Sequence, residues 1–75
     1  MKILLAEDEA QLARALKLAM TSSGYQVDAV DNGQKVVDLA AANAYDVMIL
    51  DIMMPVKSGL DALRELRARG DRTYV

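Results

Sequence analysis

Glu7, Asp8 and Asp51 are the residues of this chain whose types and spacing could do chemistry. Each lies at the end of a strongly apolar run. Ile3-Leu4-Leu5-Ala6 leads into Glu7-Asp8, and Tyr45-Asp46-Val47-Met48-Ile49-Leu50 leads into Asp51. A carboxylate at the tip of an apolar strand is costly unless something pairs with it or uses it. Two such strands in one parallel sheet bring these acids to the same edge, where open α/β sheets hold their ligands. Carboxylates packed together repel, and each raises the others' cost of ionising. A divalent cation relieves that repulsion. The chain has no Cys and no His, so the available donors are hard oxygens, which suit Mg²⁺ or a similar ion rather than zinc or copper. One carboxylate could also act as a nucleophile toward phosphorus, giving an aspartyl phosphate. A plainer reading competes with this one. Glu7, Asp8 and Glu9 would then be first-turn acids favoured by a helix dipole, and Asp51 a loop or capping residue.

The elements that must position these acids can be read from periodicity. Residues 2–6 form an aliphatic strand of the kind buried on both faces. From Glu9 to about Ser22 the spacing becomes helical, with Leu12, Leu16, Ala19 and Met20 on one stripe and Gly24 as terminator. Residues 25–30 alternate polar and apolar, which predicts a half-exposed strand near a sheet edge. Asp31 with Gln34 three residues on suggests a capping box opening a helix to about Ala42, closed by Asn43. Its buried candidates are Val36, Val37, Leu39 and Ala40. Residues 45–50 form the third strand, and a loop anchored by Pro55 follows. Ser58 can cap a third helix carrying Leu60, Leu63 and Leu66, with Asp61 in its first turn, a Glu65–Arg69 pair outside and Gly70 as its stop. Asp71–Val75 begins a further strand. The alternation βαβαβα predicts a parallel sheet with right-handed crossovers and helices on both faces.

Composition bounds the function classes. Seventy-five residues, 53% hydrophobic and 27% charged, describe one small globular unit rather than a disordered segment. A net charge of −2 does not suggest a nucleic-acid surface. No apolar stretch is long enough to span a bilayer and no signal peptide precedes the first strand, so a soluble cytoplasmic protein is expected. Lys57 reads as a solvated loop lysine. Met48, Met53 and Met54 read as gap-filling side chains, Tyr25 and Tyr45 as strand packing, and Arg64, Arg67, Arg69 and Arg72 as a solvated basic helix face.

Taken together, Ile3-Leu4-Leu5-Ala6-Glu7-Asp8-Glu9, then Tyr45 through Asp51-Ile52-Met53-Met54-Pro55, then Gly59, resemble the receiver domain of bacterial two-component response regulators. The resemblance covers the whole chain, and its style is that of receivers preceding a winged-helix DNA-binding domain. It implies a flavodoxin-like doubly wound parallel sheet in strand order 2-1-3, with a stub of strand 4. It implies that Asp51 is the phospho-acceptor and that Asp8 and Asp51 bind Mg²⁺, joined by the main-chain carbonyl of Met53. Glu7 matches the second acid of the pocket, often acting through water. Met54, Pro55 and Gly59 would shape the loop. A sensor histidine kinase would supply the phosphoryl group, and the protein would be a signalling switch, a transcription regulator in its parent form, rather than an enzyme. DNA would be bound through an effector domain, not through this segment.

The resemblance also shows where the chain departs from the pattern. A whole receiver has the order 2-1-3-4-5, so residues 1–75 would be a single partial receiver domain with no effector domain. The family's hydroxyl residue after strand four and lysine after strand five have no counterpart here, and Thr73 lies too early to serve. Weak Mg²⁺ binding and slow or undetectable phosphorylation are therefore expected. The alternative is a non-signalling fragment that self-associates, as a dimer, through an exposed third strand or by exchanging Asp71–Val75. An aspartate-nucleophile phosphatase is disfavoured because Met53 stands where its second Asp would be. A dinucleotide-binding domain is disfavoured because no Gly-rich turn follows the first strand.

Overall fold

Ile3, Leu4, Leu5 and Ala6 are all buried, which makes β1 (Lys2–Ala6) the natural centre of a sheet. The computed structural model, which describes all 75 residues, places it there. The elements follow in the order α1 (Ala10–Ser22), β2 (Gln26–Val30), α2 (Gly33–Ala42), β3 (Val47–Leu50) and α3 (Gly59–Ala68). The sheet has three strands in the order β2-β1-β3, all parallel. Its register decides what meets at the carboxyl edge. Ala6 pairs with Val30 on one side and with Leu50 on the other, so Glu7, Asp31 and Asp51 are the next residues beyond aligned strand ends.

The strands' period of two sorts the core into two layers. Leu4, Ala6 and Met48 face α2 and α3, where Val36, Val37, Ala62 and Leu66 complete a buried cluster with Tyr45. Ile3, Leu5 and Val27 face the other way, toward Met20 of α1. The alternating strand β2 is half-exposed at the edge, as its pattern predicts. Gly24 and Gly70 adopt φ of 93° and 86° after α1 and α3, the left-handed conformation that ends a helix cheaply.

Several local expectations need correction. The cap of α2 is Asn32, whose side chain accepts from the Lys35 amide at 2.9 Å, not Asp31. Asp31 pairs with Lys35 instead, and Gln34 donates to Asp38. On α3 the buried stripe is Gly59, Ala62 and Leu66, and Leu60 turns outward because it is one position off that stripe. The Glu65–Arg69 pair does not form: Glu65 pairs with Lys57, and Arg69 donates to the Val37 carbonyl of α2. Arg67 likewise donates to the Asp71 carbonyl, so the basic cluster is partly tied to main chain rather than wholly solvated.

A further correction concerns α1, which has no buried residue. It packs over β2 and β1. Leu12 and Leu16 remain 45% and 37% exposed, and only Met20 of the expected stripe packs on the core. Ile49 of β3 pairs with Leu5 in register, so it faces the α1 side of the sheet, and it is 44% exposed. The strand expected after Gly70 forms a single bridge, Tyr74 to Val47, with the Met48 amide donating to the Tyr74 carbonyl at 2.7 Å. The outer edge of β3 is therefore partly covered.

Candidate functional site

The backbones of two of the acids continue the sheet's ladder. The Glu7 amide donates to the Val30 carbonyl at 3.0 Å, and the Asp51 amide donates to the Ala6 carbonyl at 2.9 Å. Each side chain is thus aimed by a strand that has just ended. Carboxylate oxygens of Glu7, Asp8 and Asp51 lie within 4.8 Å of one another, with Glu7 and Asp51 half-buried and Asp8 exposed. All three acids singled out by the sequence are brought together.

The plainer reading holds for Glu9, and for Asp51 in that its side chain accepts from the loop amide of Met53, but not for Glu7 and Asp8 as first-turn acids. Only Glu9 serves the helix: it is the N-cap of α1, accepting from the amides of Gln11 at 3.2 Å and Leu12 at 2.7 Å. The first turn of α1 contains no acid. Glu7 accepts from the Glu9 amide at 3.1 Å and keeps its carboxylate outside the helix.

The charges of the cluster are not answered by protein cations. The ion pairs of the molecule are Lys35–Asp31, Lys57–Glu65 and Arg64–Asp61, and none includes Glu7, Asp8 or Asp51. Lys57, the cation nearest Asp51 in sequence, is half-buried and held by Glu65 of α3 rather than solvated as expected. Asp31, at the neighbouring strand end, is neutralised by Lys35 at 2.9 Å, and that hydrogen-bonded ion pair holds its carboxyl below the usual carboxylate range. Negative charge is therefore compensated at the β2 tip and uncompensated at the tips of β1 and β3.

The loop after β3 borders the cluster. Asp51 Oδ1 accepts from the Met53 amide at 3.3 Å. Asp8, Met53, Met54, Pro55 and Ser58 line a cavity of about 520 Å³, and a smaller one of about 260 Å³ runs from Asp8 and Glu7 toward Asp31 and Lys35. Within the loop, the Lys57 amide donates to the Pro55 carbonyl at 2.7 Å, closing a three-residue turn on Val56, whose φ is +68°. A β-branched residue in that region is strained. Ser58 caps α3 as read, accepting from the Asp61 amide at 3.0 Å. A Cβ on Gly59 would lie 1.9 Å from the Asp51 carbonyl oxygen, so only glycine lets α3 start against the end of β3. The strained turn and the Lys57–Glu65 tie escape sequence reading, because neither has a compositional mark.

This donor set fits a hard divalent cation. Uncompensated carboxylates converge, no His or Cys is available, and Met53 shares a cavity with Asp8. Asp51 itself is half-buried beside that cavity's Met53, to whose amide its carboxylate is hydrogen-bonded.

Known proteins share this chain's fold and much of its sequence. Residues 3–75 match the family model described as the response regulator receiver domain. The transcriptional regulatory protein YkoG of Bacillus subtilis is 42% identical over 73 residues, covering 97% of this chain and 32% of that protein. The receiver domain of the Francisella response regulator 1452 superposes with a TM-score of 0.92 at 30% identity, covering 96% of this chain and 60% of that one. Response regulator TrrA of Thermotoga maritima, solved with Mg²⁺ and BeF, gives a TM-score of 0.85 at 35% identity, covering 92% and 60%. A structure of histidine kinase ThkA in complex with TrrA matches at a TM-score of 0.86 and 33% identity, covering 96% and 62%. This chain thus spans about a third of the length of YkoG and about 60% of the solved receivers. With the sheet order, the acidic edge and the family match in agreement, the chain belongs to the response regulator receiver domain family.

Proposed function

We propose that the chain is the phospho-accepting portion of a two-component receiver, with Asp51 as acceptor. The convergence of the Glu7, Asp8 and Asp51 carboxylates within 4.8 Å, unanswered by any protein cation, carries this reading. A carboxylate oxygen of Asp51 attacks the phosphorus of a phosphohistidine on a sensor histidine kinase. The new O–P bond forms as the N–P bond breaks, the imidazole nitrogen leaves with the electron pair and takes up a proton, and an acyl phosphate remains. Asp8, Asp51 and the Met53 carbonyl would hold Mg²⁺, with Glu7 beside them, and the ion would neutralise the charge gathered on the phosphoryl oxygens. The chain acts as a cytoplasmic signalling switch rather than a turnover enzyme. An effector domain in the parent protein binds DNA, as fits the likeness to a transcriptional regulatory protein.

Incubation with phosphoramidate and Mg²⁺, followed by peptide mass spectrometry, should place a label on Asp51. Labelling should depend on Mg²⁺ and be absent in Asp51→Asn. A label on another residue, or labelling indifferent to a chelator, refutes the assignment.

A second reading rests on a separate observation. Leu12, Leu16 and Ile49 are exposed on one side of the sheet, and β3 is bridged at only one point by Tyr74. An apolar face beside a strand edge favours pairing with a second copy. Sedimentation velocity over a wide concentration range should then show reversible self-association, weakened in Ile49→Lys. A single monomeric species at every concentration rejects it.

A further inference from the structure

We infer that Gly33, in the first turn of α2, is a positioning residue for the Asp51 site, acting through the loop that follows β3. The inference rests on the metal reading above and assigns a role to a residue outside the acidic cluster. The Gly33 amide donates to the Lys57 carbonyl at 2.8 Å, the one hydrogen bond that ties α2 to this loop. A Cβ at Gly33 would stand 2.3 Å from the Lys57 oxygen, 2.6 Å from the Ser58 oxygen and 2.8 Å from the Lys57 carbonyl carbon. All three are main-chain atoms, so no rotamer change could make room.

Nothing local asks for glycine here. Gly33 is helical, and glycine in a helix is disfavoured against alanine. A residue that breaks local propensity is explained by what approaches it, and what approaches Gly33 is the strained part of the loop. Val56 at φ +68° is the centre of the turn closed by Lys57. Such a conformation persists only where its surroundings over-determine it. Three contacts do so: Gly33 on the Lys57 carbonyl, Glu65 on the Lys57 ammonium, and the Gly59 amide on the Ile52 carbonyl at 2.9 Å. The same loop carries Met53, which lines a cavity with Asp8. A methyl at Gly33 would push the loop by about 1 Å, a misplacement of the size that spoils a preorganised site.

The test compares Gly33→Ala with Val37→Ala, which thins the packing of the same helix and leaves the Gly33–Lys57 hydrogen bond in place. Metal-free amide NMR spectra and Mn²⁺ binding by electron paramagnetic resonance are read at low temperature. Gly33→Ala should move the amide signals of the Met53–Ser58 segment and weaken Mn²⁺ binding about tenfold or more. Val37→Ala should lower the melting temperature and leave both readouts alone. In the unaltered chain, Mg²⁺ should slow hydrogen exchange at the Gly33 amide. Unchanged Mn²⁺ affinity in Gly33→Ala, equal weakening in Val37→Ala, or indifference of Gly33 exchange to Mg²⁺ overturns the inference. The exchange readout decides even if Gly33→Ala does not fold. If the unaltered chain binds no Mn²⁺, the metal reading fails separately, and unmoved loop signals in Gly33→Ala would then overturn the positioning role.

Discussion

Tyr45 is buried in the larger core cluster, donates its hydroxyl to Asp28 Oδ2 at 2.7 Å across the central strand, and has the Lys2 ammonium 5.2 Å from its ring centroid. Burial first, and the Asp28 hydrogen bond second, push its phenol pKa above the ordinary 10.0. The folded state therefore keeps a proton that the unfolded chain releases. Below pH 10 this contribution to stability is fully present, and it declines as pH rises beyond that value. Tyr45→Phe should cost about 1–2 kcal/mol at neutral pH, and the alkaline limb of its urea-unfolding stability should be flatter than that of the unaltered chain. An unchanged alkaline limb would count against the shift. The acidic cluster makes the opposite kind of prediction. Asp8→Asn removes one repelling charge, so metal-free stability should rise by up to about 1 kcal/mol while Mg²⁺ no longer raises the melting temperature. Glu7, Asp8 and Asp51 were legible in the sequence because an apolar run ending in an acid is a one-dimensional pattern. The Tyr45–Asp28 bond, the Lys57–Glu65 pair and the Gly33 contact were not, because each joins residues that only the folded chain brings together.

Among the elements, the N-terminus of α2 offers the sharpest test. Asp31 and Asn32 are both good caps, and the capping-box spacing to Gln34 favours the first. The structure uses the second, because β2 runs through Val30 and Asp31 turns to Lys35. Asn32→Ala should lower stability by about 1 kcal/mol in thermal unfolding, while Asp31→Ala, which breaks an exposed ion pair with Lys35 and an exposed hydrogen bond from the Asn32 side chain, should cost less. Equal costs would mean that the two residues share the cap. The type and order of every element followed from periodicity, since three strands and three helices alternate as read. Facing was harder. On α3 the small residues Gly59 and Ala62 occupy the buried stripe and Leu60 does not, an outcome that a count of leucines cannot anticipate. On α1 the apolar stripe is real, but the sheet beneath it extends to β3 and the helix does not cover that far.

For the whole molecule, the radius of gyration is 11.5 Å, close to the roughly 11 Å typical of a chain this long, so residues 1–75 fold back on themselves fully. The extents of 33 × 24 × 16 Å are flattened, with two helices on one face and α1 alone on the other. Only 13 of 75 residues are buried, so each core side chain carries a large share of the stability. Leu66→Ala empties a fully buried position between α3 and the sheet, and should cost about 2–5 kcal/mol. A domain of this size holds on the order of 4–11 kcal/mol in all. Circular dichroism of Leu66→Ala should therefore show a markedly lowered urea midpoint. An unshifted midpoint would mean that this layer of the core is not what holds the fold together.

The central position of β1 has a consequence for how the chain acquires its structure. β1 is made before both of its neighbours and is hydrogen-bonded on both sides, by partners that end at Val30 and Leu50. Its apolar residues stay unpaired on one side until Val30 has emerged and on the other until Leu50 has, and no early hairpin can shelter them. Folding of such a sheet depends on closing long loops before any strand contact forms, which places it among the slower small topologies. During synthesis, Ile3 through Ala6 are the segment most in need of a chaperone's cover.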